Sequence, residues 1–186
     1  MGLRVKRRGS FPEENKPIDF RELVGTDPWS REPRQASWDA VEEVTGELPG
    51  DFKEFVRLYG DGLVTGHLCI PHPEGIDPLI DFIGRGRRKL EILLSDYADR
   101  LESLSCDPAV LIPFGYSDWD GDDCFLVPRE GREFDVLLVF RQWATAELYE
   151  GGFTRFIGGV LTGRAVPPGW PVLEPRWAPL EGTPLR

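Results

Sequence analysis

A chain of 186 residues, 40% of them hydrophobic, suits one domain and can bury a core without disulfide or metal staples. Its formal charge of −10 is uneven: Arg4, Lys6, Arg7 and Arg8 give +4, the stretch from Arg164 onward gives +1, and 9–163 carries about −15. Such a body repels nucleic acid and attracts a basic partner, and no basic stripe interleaved with aromatics argues the other way.

Residues 1–36 read as an irregular lead-in, with Pro12, Pro17, Pro28 and Pro33 spread among many charges. The basic start MGLRVKRRGSF is followed by no long apolar run, so it does not read as a secretory signal. Lys6 stands where myristoylation prefers Ser or Thr. "IDFRELVG" can form one short turn of helix. "SWDAVEEVTG" predicts a helix with Ser37 as N-cap, an apolar face of Trp38, Val41 and Val44 or Thr45, and Gly46 as its stop. In "LPGDFKEFVRLYGDG", Phe52, Phe55, Val56 and Tyr59 fall at i, i+3, i+4 and i+7, a core-facing helical stripe. Gly60 is expected to end that helix in the left-handed conformation.

"GHLCIPHP" reads as a short strand closed by Pro71 and Pro73. Residues 77–104 are helical in pattern, with interruptions expected at Gly84 and Gly86 and a stripe of Leu90, Leu93, Leu94, Tyr97, Leu101 and Leu104. Three strands follow, "VLIPFGYS", "DCFLVP" and "DVLLVFR", with "WATAELYEG" as a weaker fourth. "FTRFIGGVLTG" predicts the last helix, with Phe153, Phe156, Ile157, Val160 and Leu161 on one face. From Arg164 the tail is proline-rich and extended, and Trp170 and Trp177 are the residues that can pin it to the body. Consecutive strands with short turns are antiparallel. Helices grouped toward both ends of the chain then give an α+β fold, a mostly antiparallel sheet covered by helices.

The stretch "SDWDGDD", Ser117 to Asp123, holds four aspartates. As a calcium loop, Asp118, Asp120 and Asp122 fit its first three oxygen positions, but Asp123 replaces the glycine and Arg129 the bidentate glutamate. Carboxylate catalysis needs two acids with separated pKa values on opposite sides of a substrate, which a solvated turn does not supply. A tight connection between two strands accounts for the composition, and it can present its acids outward as one negative patch. His67 and His72 flank "LCIP" at an odd spacing, which puts them on opposite faces of a strand; with Cys69 they match no zinc signature. No Gly-x-Ser-x-Gly elbow is present. "GRGRRKL" lacks the Gly-Lys-Ser/Thr ending of a phosphate loop, so Arg85, Arg87, Arg88 and Lys89 read as a solvated face. Cys69, Cys106 and Cys124 are few and odd in number; Cys69 and Cys124 lie in apolar stretches and read as buried. This usage fits a reducing compartment and argues against a disulfide framework. No run approaches ~20 apolar residues, so no membrane-spanning helix is expected.

Three stretches together resemble the SUKH superfamily, which includes fungal cell-wall regulators of the Smi/Knr type and bacterial immunity proteins. They are Trp38–Gly62, with its Leu-Pro break and Tyr-Gly-x-Gly ending; "LIPFGYSDWDGDDCFLV", Leu111 to Val127; and "FTRFIGGVLTG". The resemblance covers 37–163, leaving 1–36 as lead-in and 164–186 as a proline-rich tail. The turn is longer and more acidic than the Asn-Gly-Asp often found in the family. The resemblance implies a single domain in which Leu48, Pro49, Tyr59, Gly60, Gly115 and Gly121 serve the fold. It implies no catalysis and no cofactor. It implies a cytoplasmic protein that binds and neutralises a toxin encoded nearby, or else a regulatory or scaffold module. If the toxin is basic, Asp118, Trp119, Asp120, Asp122 and Asp123 are the expected contacts, the acids for steering and Trp119 as anchor. A metal-dependent hydrolase built on the aspartates is the competing class.

Overall fold

The computed structural model describes residues 4–8, 18–24, 32–101, 107–132, 134–141 and 145–180, with the backbone alone at 4–8, 93–101 and 132. Among these residues the elements in chain order are β1 (Arg4–Arg8), α1 (Phe20–Val24), α2 (Gln35–Thr45), α3 (Gly50–Tyr59), β2 (Gly62–Val64), β3 (Leu68–Ile70) and α4 (Leu79–Leu101). There follow β4 (Ile112–Ser117), β5 (Asp123–Pro128), β6 (Phe134–Phe140), β7 (Thr145–Tyr149), α5 (Phe153–Leu161) and β8 (Trp177–Pro179). The strands make one sheet in the order β1-β7-β6-β5-β4-β3-β2-β8. Every neighbouring pair is antiparallel except β1 with β7, which is parallel. The chain is thus α+β, with a mostly antiparallel sheet.

The central strands β5 and β6 are apolar on both faces because both faces are covered. Cys124, Leu126, Val136, Leu138 and Phe140 join the larger core with α2, α3 and α5. Phe125, Val127, Leu137 and Val139 point the other way, with Leu90 of α4. The expected α3 stripe is fully used: Phe52, Phe55, Val56 and Tyr59 are buried. Phe153 of α5 meets Phe52, Phe55 and Phe114 edge-on at 5.1, 5.3 and 5.4 Å between ring centroids, the arrangement that aromatic quadrupoles favour. Asp51, in the first turn of α3, accepts from the backbone N–H and hydroxyl of Thr154 at 2.9 and 2.8 Å. It thereby satisfies one of the orphan donors at the start of α5.

Several expectations need correction. Residues 4–8 are not irregular; they form the edge strand β1. The tail adds β8 at the opposite edge, so 37–163 does not bound the sheet. The strand β2 is an element beyond those expected. Its hairpin to β3 turns on Thr65 and Gly66, with φ of 55° and 69° and His67 N donating to Val64 O at 3.1 Å. That is a type I′ geometry, but Thr-Gly is not one of its usual sequence signals. Ser37 does not cap α2, which begins two residues earlier; its hydroxyl donates to Glu74 at 2.6 Å. Gly60 is extended, with φ −65° and ψ 160°, and Asp61 takes the left-handed conformation instead, with φ 60°. His67 and His72 both lie outside β3, and both are buried. The helix α4 runs uninterrupted through Gly84 and Gly86. A Cβ on Gly86 would stand 2.6 Å from Pro113 Cγ, so this glycine lets α4 approach β4 closely. Cys106 lies outside the described residues, as do the side chains of the stripe beyond Leu90.

Candidate functional site

At one end of the sheet three segments meet: the β2–β3 turn at 65–67, the β4–β5 turn at 118–122, and the tail from Trp170 to Arg176. Antiparallel pairing of β3 with β4, Leu68 opposite Ser117, brings the two turns side by side. Asp118 N donates to His67 O at 2.8 Å and stitches them together. Within the β4–β5 turn, Ser117 N donates to Asp122 O and Gly121 N to Ser117 O, both at 2.9 Å, while Asp120 N donates to Ser117 Oγ at 3.1 Å. Gly121 has φ 69°, a conformation that favours glycine. The turn is therefore held by its own backbone, as its composition implied.

The four aspartates do not form one outward patch. Strand alternation separates the last two. Asp123 starts β5 on the face of Phe125, where Lys89 of α4 forms an ion pair with it. Burial pushes the Asp123 carboxyl up, and its hydrogen bond and charge contact with Lys89 oppose that shift. Asp122 points to the opposite face and is 3% exposed. Its Oδ1 accepts from Arg141 N and its Oδ2 from Trp170 Nε1, both at 2.9 Å. Asp122 and Asp123 therefore do not belong to the outward patch expected of the turn: one carboxylate accepts a hydrogen bond at each oxygen within the protein, and the other is paired with Lys89. Extending the period-two pattern of β5 back by one residue separates the two acids in sequence, but which of them the protein covers depends on Arg141 and Trp170. Asp118 is exposed, Asp120 is half-buried, and Trp119 is 60% exposed. Of the five expected contacts, these three remain on the surface.

Beneath Trp119 lies a residue that sequence reasoning set aside. His67 is 1% exposed, and neither ring nitrogen has a hydrogen-bond partner among the described residues. Its ring meets Trp119 edge-on at 5.2 Å and Trp170 at 4.7 Å. Burial pushes the imidazole's pKa down, against the pull of Asp120, Asp122 and Asp118. On the α4 side of the same end a groove of about 400 Å³ opens between the helix and β4–β5. Phe82 stacks on Tyr116 at its base, at 5.9 Å, and Arg85, Lys89, Asp118 and Arg141 stand on its walls. Arg85 forms an ion pair with Asp77. The cations of "GRGRRKL" therefore serve this face in part, through Arg85 and Lys89, while Arg87 donates to Val44 O at 2.8 Å.

Cys69 and Cys124 are free and buried. Burial pushes the Cys69 thiol up to about 12 and Cys124 well above its ordinary value, so neither supplies a thiolate at neutral pH. Among the described residues no group of three or more His, Cys, Asp and Glu is placed to hold a metal ion. None of the described helices is long and apolar enough to cross a membrane.

Fold and site together define a class: an α+β sheet protein with an aromatic-acidic turn presented at one sheet end. Comparison with protein-family models, with curated proteins and with solved structures gives no match.

Proposed function

We propose that this protein is a non-catalytic binding module that captures a protein partner through the β4–β5 turn, and that it acts as an immunity protein neutralising a cognate toxin. The observation that carries the reading is Trp119. A large aromatic, 60% exposed, sits on a turn fixed by hydrogen bonds and between two carboxylates that face water more than Asp122 does. Solvated aromatics of this kind on a preorganised support are the residues that anchor protein interfaces. The groove beside it adds polar groups of both signs, which favour orientation and partner choice over raw affinity. The resemblance to the SUKH superfamily supports a toxin as that partner and a cytoplasmic setting. The buried thiols fit a reducing compartment.

With Asp122 and Asp123 engaged inside the protein, steering of a basic toxin falls to Asp118, Asp120 and the net charge of the body. The regulatory or scaffold reading of the Smi/Knr type calls for a docking surface too. Gene neighbourhood separates the two, since an immunity gene adjoins its toxin gene. The deciding experiment is co-purification with the product of the adjacent gene, followed by association rates as a function of ionic strength. Trp119→Ala should raise the dissociation rate. Asp118→Asn with Asp120→Asn should slow association at low salt, and the loss should shrink at high salt as charges are screened. A single molecule that inactivates many toxin molecules would overturn the binding reading.

A further inference from the structure

We propose that His67 is a proton switch that ties the exposed position of Trp119 to pH. The inference rests on the reading of Trp119 as the docking residue, and names how that site is regulated.

The geometry carries it. His67 closes the β2–β3 hairpin, and its carbonyl is tied to the β4–β5 turn through Asp118 N. Its ring fills the space between the indoles of Trp119 and Trp170. A neutral imidazole is tolerated there as a flat, weakly polar ring. An imidazolium is not, because it carries two N–H donors and neither has an acceptor in place. The charged groups around it are mostly of one sign. Asp118, Asp120 and Asp122 act on the ring from the turn. From the tail, Arg176 lies across the neighbouring Gly66, where an added Cβ would stand 2.5 Å from its guanidinium. Trp170 brings only its indole.

Asp122 has both carboxylate oxygens engaged, by Arg141 N and Trp170 Nε1. A proton on His67 therefore either draws Asp120 or Asp118 inward, or turns Asp122 toward the ring and strains its bond to Trp170. Both routes move the turn that holds Trp119. Acidification thus converts one rigid arrangement of the docking residue into another, and the driving force is the unmet hydrogen-bonding demand of a buried imidazolium.

The test uses the free full-length protein and the indole and imidazole NMR resonances between pH 8 and the onset of acid unfolding. Trp→Phe substitutions assign the indoles. His72→Gln separates the two histidines. The expected result is a His67 midpoint below that of an ordinary histidine, with the Trp119 and Trp170 indole resonances shifting at the same midpoint. The shifts should be lost in His67→Phe, which keeps an aromatic ring; His67→Gln takes its place if that variant does not fold. Indole resonances that stay fixed while His67 titrates overturn the proposal. So does a His67 that takes up no proton before global unfolding, or an unchanged indole shift in the folded variant. A toxin that does not bind leaves the NMR result untouched, so failure of the docking reading is read separately.

Discussion

Trp170 donates its indole N–H to Asp122 at 2.9 Å, across 48 residues of chain, and both partners are buried. The bond locks the proline-rich tail against the β4–β5 turn. Trp170→Phe keeps most of the ring but leaves a buried carboxylate oxygen without its donor. It should cost about 1–3 kcal/mol in urea denaturation. Asp118→Asn and Asp120→Asn, on the same turn, should each stay within about 0.5 kcal/mol. Equal effects from the two sets would mean that the tail is not held through Asp122.

Two glycines in α4 should respond with opposite signs. A methyl added at Gly84 would meet only the end of Arg88, at 3.8 Å, so Gly84→Ala gains helix propensity. It should stabilise by about 0.5–1 kcal/mol. Gly86→Ala would drive its Cβ to 2.6 Å from Pro113 Cγ. It should destabilise by about 1–3 kcal/mol, the usual cost of overpacking. Thermal melts of the two variants beside wild type decide the matter.

On α3 the contrast lies between faces. Phe55 is 2% exposed and touches Phe20, Tyr59 and Phe153. Phe55→Ala should cost about 3–5 kcal/mol. Lys53 is partly covered, bonded to Glu42 at 2.9 Å and set 5.5 Å above the Trp38 ring. Lys53→Ala should therefore cost about 0.5–1 kcal/mol, more than a free surface lysine. Chemical denaturation of both variants checks the assignment of faces.

Stability should carry a signature of Glu74 in acid. Its carboxylate accepts from the Arg34 side chain at 2.7 Å and from Ser37 at 2.6 Å, and these bonds hold its pKa down from 4.5 to about 2. A depressed folded pKa means that the unfolded chain binds the proton first as pH falls. The stabilisation is present above about pH 4.5 and is lost as pH falls toward about 2. Glu74→Gln should flatten that part of the stability profile in denaturation at fixed pH steps. An unchanged slope there would remove Glu74 from the anchoring of α2.

Helices and central strands were legible because their residues act locally. The 3.6-residue spacing of Phe52, Phe55, Val56 and Tyr59 and the apolar runs of β5 and β6 state what must be buried, whatever the partner. The nature of "SDWDGDD" as a turn was equally legible, since Gly121 and the aspartates favour it without help from distant chain. What the sequence determined by itself was therefore the inventory of elements and the composition of the exposed turn. The tertiary structure decided which residues share a site. That Asp122 faces inward, that His67 lies between Trp119 and Trp170, and that residues 4–8 and 177–179 form the two sheet edges all depend on contacts between segments far apart in sequence. Such contacts leave no periodicity behind. Short strands such as β2 and β8 exist only because a neighbour supplies their hydrogen bonds, and a buried carboxylate looks like any surface aspartate until an indole from the tail is placed against it.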